Sequence, residues 1–275
     1  MTNERIAALI LTRNRACQSR LLLESLKANA TGIFEPYLLY KADSSEYQRA
    51  YNLLSQDVIG TNFLIERDLL GEIYFFLENV AGSHVAFFMD DCIFYRELRK
   101  TARELVDLFD DNTWSLSLRL GYNTTENNKK EIKPIQQEDG FLKYNFKNHD
   151  ATDNYGFTFS WDGHIYNTEK LLKFFDGNDF SNTTNPDAIL PQRIENFSTH
   201  NRDKIEEELV CCPKHSHVVC MNYNTTHPKA NFNYYPIEEL NQKYLTGKII
   251  DYKSINFEDI AGTHAYRPFI MRSIN

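Results

Sequence analysis

Two adjacent carboxylates, Asp90 and Asp91, interrupt the otherwise apolar run His84–Phe94 (HVAFFMDDCIF). Unpaired charge inside a buried strand is costly. The pair therefore belongs at the strand's carboxyl end, where open α/β sheets bind their ligands. Side by side there, they suit a hard divalent cation bridging to phosphate oxygens. A purely structural alternative has Asp91 capping a helix over Phe94–Phe109, with Asp90 merely solvated. A second cluster, Cys211-Cys212-Pro213-Lys214-His215-Ser216-His217-Val218-Val219-Cys220, gathers thiols and imidazoles. Its spacing matches no standard zinc pattern, because adjacent cysteines rarely bind one metal together. Alternation through His215–Cys220 reads better as a strand.

The flanking elements place the Asp pair. Apolar runs at Ile6–Leu11, Tyr37–Tyr40, Asn62–Ile65 and His84–Met89 alternate with helical periodicity over Leu22–Ala30, Tyr47–Leu54 and Leu69–Val80. Strand–helix repeats of this kind predict a doubly wound parallel sheet. Each strand ends in polar residues, Thr12-Arg13-Asn14-Arg15 and Lys41-Ala42-Asp43 among them, which would converge along one edge. Beyond residue 110 the pattern changes. Trp114–Leu120, Phe141–Phe146, Tyr155–Trp161 and His164–Tyr166 read as strands, several of them antiparallel. Thr168–Phe175 reads as a helix, and Asn182–Asp187 as a turn into another, with Pro186 early in it. Glu206–Tyr223 predicts a helix end and a strand, followed by a short helix at Ile237–Leu245 that Gly247 stops. The fold class is α/β: a Rossmann-like half, 1–110, joined to a half with antiparallel strands and a C-terminal tail, 111–275, in one domain.

Composition bounds the partners. The 275 residues carry 38 acidic and 30 basic side chains, a net charge of −8, which excludes a broad phosphate-backbone footprint and hence nucleic acid. Five cysteines do not suggest a disulfide framework. Met1 leads through a charged segment directly into a strand, which predicts no signal peptide. No apolar stretch approaches a membrane span. A cytoplasmic location is expected.

The ordered set of segments resembles the GT-A-fold glycosyltransferases, and within them a bacterial group similar to family 2. The resemblance rests on Thr12-Arg13-Asn14-Arg15, Tyr40-Lys41-Ala42, Phe87–Phe94 (FFMDDCIF), Ser117–Gly121 (SLRLG), Ser160–Thr168 (SWDGHIYNT), Asn185–Leu190 (NPDAIL) and His264, and so covers nearly the whole chain. It implies a GT-A fold and transfer of sugar from a nucleotide-sugar donor to a carbohydrate acceptor, in surface polysaccharide or related glycan synthesis, with inversion. Nucleoside binding would fall to Thr12, Arg13, Arg15 and Asp43, with the arginines on phosphate oxygens. Asp43 has a second reading, as a turn residue before Ser44-Ser45. Asp90 and Asp91, completed by His264, would bind Mn²⁺ or Mg²⁺, and Asp90 would thereby touch the donor. Gly163, lacking a Cβ, would let backbone approach the donor sugar. Trp161 would stack on an acceptor sugar or join the core. Asp187 would be the general base and Asp162 its reserve. Two residues depart from the group's pattern. Asn167 replaces an Arg, and Leu190 stands where a Glu is usual, which leaves the base to Asp187 or Asp162. The alternatives are an inactive nucleotide-sugar or glycan-binding module, which Leu190 supports, and a GT-A nucleotidyltransferase, disfavoured because Thr12–Arg15 lacks glycine.

Overall fold

The computed structural model describes residues 5–176, 178, 180, 189–224 and 235–274. The first half alternates as expected: β1 (Ile6–Arg13), α1 (Ala16–Asn29), β2 (Phe34–Lys41), α2 (Ser45–Asp57), β3 (Asn62–Ile65), α3 (Leu69–Asn79) and β4 (His84–Met89). It continues with β5 (Cys92–Phe94), α4 (Ala102–Val106), β6 (Thr113–Ser117), β7 (Gln136–Glu138), β8 (Phe141–Asn145), β9 (His164–Asn167), α5 (Thr168–Asp176) and α6 (Leu190–His200). The chain closes with β10 (Leu209–Pro213), β11 (Val218–Met221), α7 (Ile237–Leu245), β12 (Lys248–Ile250), β13 (His264–Ala265) and β14 (Met271–Ser273).

Nine strands form one mixed sheet in the order β3-β2-β1-β4-β9-β6-β10-β8-β7. The first four are parallel. β9 enters antiparallel between β4 and β6, and β8 and β7 are antiparallel at the far edge, whereas β6 and β10 pair parallel. Alternate residues of β4 serve opposite layers. Ala86 and Phe88 pack with α1, α2 and α7, while Val85 and Phe87 pack with α3, α5 and α6. From β1 the chain winds to β2 and β3 on one side, then returns to place β4 on the other. The crevice at the carboxyl ends of β1 and β4 is therefore a topological switch point, where this architecture binds ligands. A three-stranded sheet, β13-β11-β5, lies beside it.

Three local expectations are corrected. Phe94–Phe109 is not one helix. β5 takes its start, and the backbone that would have formed its first turns is captured by α1. Phe94 N donates to Ser25 Oγ at 3.0 Å, Asn29 Nδ2 donates to Phe94 O at 2.7 Å, and Leu98 N donates to Asn29 O at 2.7 Å. Only α4 remains helical, started by the reciprocal cap of Thr101 and Glu104. Asp91 thus caps nothing. Tyr155–Trp161 forms no strand. Its anchors are side chains on both sides, with Trp114 Nε1 on Thr158 O at 2.6 Å and Trp161 Nε1 on Pro191 O at 3.0 Å. Glu206–Tyr223 supplies two strands, β10 and β11, and no α-helix. The predicted turn and helix start at Asn182–Asp187 lie outside the described residues, and the described α6 begins at Leu190 with Pro191 in its first turn.

Candidate active site

The loop after β1 is fastened from below. Asp90 is buried, and its carboxylate accepts from Thr12 Oγ1 at 2.8 Å and from Arg15 Nη1 at 2.9 Å. Thr12 Oγ1 lies 2.8 Å from Tyr51 OH and accepts from Ser19 Oγ at 3.0 Å. Arg15 N donates to Tyr51 OH at 3.0 Å, and Arg15 Nη2 donates to Asn224 O at 2.7 Å. Burial disfavours the Arg15 charge, yet Asp90 and Asp91 together hold its pKa above the ordinary value. Both oxygens of Asp90 are thus engaged. Thr12, Arg15 and Asp90, expected at the donor, form a buried framework under the crevice. Arg13 and Asp43 form its exposed rim. Arg13 Nε donates to Asp43 Oδ2 at 2.9 Å, Asn14 Nδ2 donates to the same oxygen at 2.7 Å, and Asp43 N returns a bond to Asn14 Oδ1. The hydrogen bond from Arg13 holds the Asp43 carboxyl below its usual range. Ser44, not Asp43, caps α2.

The neighbouring carboxylate looks the other way. Ligand atoms of Asp91, Cys92, Asp162 and Cys220 all lie within 4.8 Å of one another. Burial, then the adjacent charges of Asp162 and Asp90, push Asp91 up to about 8. Asp162 sits between β4 and β11, just before β9. Its Oδ2 accepts from Arg119 Nη1 at 2.8 Å and lies 3.8 Å from His264 Nε2, while Cys92 Sγ is 3.9 Å from Oδ1. His264 is half-exposed. Desolvation and nearby Arg119 lower its pKa, against the opposing pull of Asp162.

Gly163 has φ +70°, and a Cβ there would lie 3.1 Å from Val218 Cγ1. Its missing side chain lets β11 pass, so the close approach runs to protein rather than to open space. Trp161 is fully buried against Phe87 and Phe159 and belongs to the core. Asp187 lies outside the described residues.

Four further residues meet at the site without being marked by the sequence motifs. Glu195, on α6, accepts from Ser160 Oγ and Trp161 N, both at 3.2 Å. Burial and the Asp162 charge raise its pKa to about 8. Arg119 is buried, and its Nε has no hydrogen-bond partner. Cys92 and Cys220 stand 3.4 Å apart, Sγ to Sγ, because β5 and β11 pair them directly. Burial pushes the Cys92 thiol up to about 11. Glu195 falls five residues after Leu190, so it completes no recognisable spacing. Arg119 and Cys92 lie inside SLRLG and FFMDDCIF, where nothing in the pattern marks their side chains as inward.

Among the described residues, four carboxylates meet two guanidinium groups here. Arg15 takes Asp90 and Arg119 takes Asp162, while Asp91 and Glu195 have no ion pair. Burial and the crowding of acidic groups keep protons on Asp91 and Glu195 near neutrality, and a divalent cation between Asp91 and Asp162 would displace the Asp91 proton. The two thiols in the set differ from the oxygen-rich shell expected for Mn²⁺ or Mg²⁺.

No protein-family model and no curated protein sequence matches the chain. Solved structures similar to it include S. aureus TarS, at 14% identity over 62% of this chain and 29% of that one, with a TM-score of 0.39. The Pyrobaculum calidifontis mannosyltransferase PcManGT, in complex with GDP-Man and Mn²⁺, overlaps at 11% identity over 77% and 57% with a TM-score of 0.40. The galactosyltransferase LgtC overlaps at 9% identity over 88% and 96% with a TM-score of 0.41. Nucleotidyltransferases, such as an inositol-1-phosphate CTP transferase from T. maritima, occur in the same set. The chain spans less than a third of TarS and little more than half of PcManGT. No helix among the described residues is long and apolar enough to cross a membrane.

Proposed function

We propose that the chain is a glycosyltransferase that moves a sugar from a nucleotide-sugar donor to a carbohydrate acceptor, with inversion, in glycan synthesis. The observation that carries this reading is Asp91 opposite Asp162 at the switch-point crevice, above the Arg15–Asp90 framework and beside the Arg13–Asp43 rim. The order of motifs along the chain supports it.

Asp91 and Asp162 would hold a divalent cation, with His264 close behind. When bound, such an ion neutralises the donor's diphosphate and stabilises it as a leaving group. Asp90 lies outside this group, with its oxygens turned to Thr12 and Arg15. The Arg13–Asn14–Asp43 rim is proposed to hold the nucleoside, where the carboxylate accepts from base or ribose. Arg119 fixes the orientation of Asp162. Glu195 is proposed to take the acceptor hydroxyl's proton; Ser160 and Trp161 hold its carboxyl, and its pKa, raised to about 8, supports that role. Asp187 is the other proposed base.

A thermal-shift screen of nucleoside diphosphates, with and without divalent cations, tests the reading, because a ligand that binds only the native state raises the midpoint. A cation-dependent rise followed by turnover of a sugar nucleotide is expected. No rise with any nucleotide would sink it. Binding without turnover across a panel of sugar nucleotides would instead assign a binding module. Pyrophosphate release from a nucleoside triphosphate and a sugar phosphate would assign a nucleotidyltransferase.

A further inference from the structure

We propose that the cation site is a mixed thiolate–carboxylate centre, formed by Cys92, Cys220, Asp91 and Asp162, that selects zinc or a similarly thiophilic ion over magnesium. The inference rests on the cation site of the proposed function but not on the glycosyl-transfer reaction.

The geometry comes from strand register. β5 and β11 run antiparallel with Cys92 directly opposite Cys220, both fully buried, their sulfurs 3.4 Å apart. Asp91 immediately precedes Cys92. Asp162 arrives from the turn before β9 and turns Oδ1 toward Cys92, while Arg119 takes Oδ2. A tetrahedral zinc site with two sulfurs and two oxygens sets its ligand atoms about 3.3–3.8 Å apart. The four side chains here bring theirs within 4.8 Å, so small rotations bring them to bonding distance, and zinc can expand to a fifth position to meet a phosphate oxygen. One oxygen of Asp162 faces the cluster and the other is held by a buried guanidinium, an arrangement that orients a metal-binding carboxylate from behind.

The donor chemistry decides the ion. Magnesium demands six oxygen ligands near octahedral geometry and keeps several waters. Two buried sulfurs at one side of the crevice offer none of the oxygens that shell needs. Thiolates favour zinc and its softer neighbours. On binding, each thiol and the Asp91 carboxyl release their protons to solvent, and the two thiolates then stand beside the carboxylates of Asp91 and Asp162. Cys211 and Cys212, which lie in the same stretch of sequence, sit on β10 and take no part.

The test uses the full chain, stripped with chelator and dialysed separately against Zn²⁺, Co²⁺, Mn²⁺ and Mg²⁺. One equivalent of Zn²⁺ or Co²⁺ should be retained against a large excess of Mg²⁺. The Co²⁺ form should show the intense near-ultraviolet thiolate-to-cobalt band. Cys92→Ser and Cys220→Ser should each remove that band and lower Zn²⁺ affinity at least tenfold, with circular dichroism confirming the fold. Asp91→Asn, which leaves both sulfurs in place, should weaken Co²⁺ while keeping a reduced band. Cobalt bound without the sulfur band, or Cys variants that hold zinc as the parent does, would overturn the assignment. So would the loss of two titratable thiols in air-purified parent but not in Cys92→Ser, since the pair would then be a disulfide. Full Mn²⁺-dependent sugar transfer by the Cys variants would refute this inference and leave the proposed function standing. Tight zinc binding without turnover of any sugar nucleotide would do the reverse.

Discussion

Arg15 Nη1 lies 2.9 Å from Asp90 Oδ1, and both side chains are buried beneath the crevice. The first of two neighbouring acidic residues therefore builds the floor, and the second lies with Cys92, Asp162 and Cys220. Removing either member strands a charge in the interior, which costs about 3–5 kcal/mol. Arg15→Met should accordingly lower the urea midpoint strongly. Asp91→Asn, which relieves crowding of like charges, should be neutral or stabilising without metal. Equal losses in the two variants would show that the neighbouring carboxylates do not divide the work in this way.

The stability of the metal-free chain should carry a signature of Glu195. Its folded-state pKa, about 8, lies above the ordinary 4.5. Between those values the unfolded chain has released this proton and the native chain has not. Native stability therefore falls as pH rises through that window, by at most about 1.4 kcal/mol per unit, and less where solvent reaches the side chain. Above about 8 the contribution is flat. Glu195→Gln should match the parent near pH 4 and gain on it steadily toward pH 8 in denaturant titrations. Parallel curves would mean that burial does not hold the proton.

Kinetics separates the carboxylates. Glu195→Gln should leave KM for the donor nearly unchanged and lower kcat by a factor on the order of 10² or more, as expected when a group acts only in the transition state. Asp162→Asn should instead raise the cation requirement and the donor KM, because that residue works in the ground state as well. If Asp187→Asn lowers kcat in this way and Glu195→Gln does not, the base lies at Asp187.

Nucleotide binding should depend on Asp91. Asp91→Ala is expected to abolish the cation-dependent part of the thermal shift given by a nucleoside diphosphate, while His264→Ala reduces it by a smaller amount. A parent-like response from Asp91→Ala would remove the cation from this position.

The sequence made the first half readable because β1, β4 and the body of β2 are short apolar runs whose polar ends mark an edge. Asp90 and Asp91 stand out there, since two carboxylates break an apolar run. Other features depend on partners far along the chain. Nothing local shows that Ser25 and Asn29 of α1 will seize the backbone around Phe94 and displace a helix. Nor does Asp90 differ from Asp91 until Arg15 is seen to hold it. Glu195 reads as one polar residue of an amphipathic helix, and only the packing of α6 against Trp161 turns it inward. Cys92 and Cys220 meet across 128 positions through a register that no spacing rule encodes.

That same register has a consequence for biosynthesis. Cys92 pairs with Cys220 across β5 and β11, and Cys220 with His264 across β11 and β13, so one row of the small sheet joins three distant parts of the chain. As the polypeptide is made, Asp91, Cys92 and Asp162 emerge first and wait on segments not yet tied together. Closing such long loops costs entropy before any contact repays it. The fourth donor arrives only with β11, and the imidazole only with β13. The nascent chain thus lacks the four donors of the proposed site until β11 is in place, and a cation there would be captured late in folding.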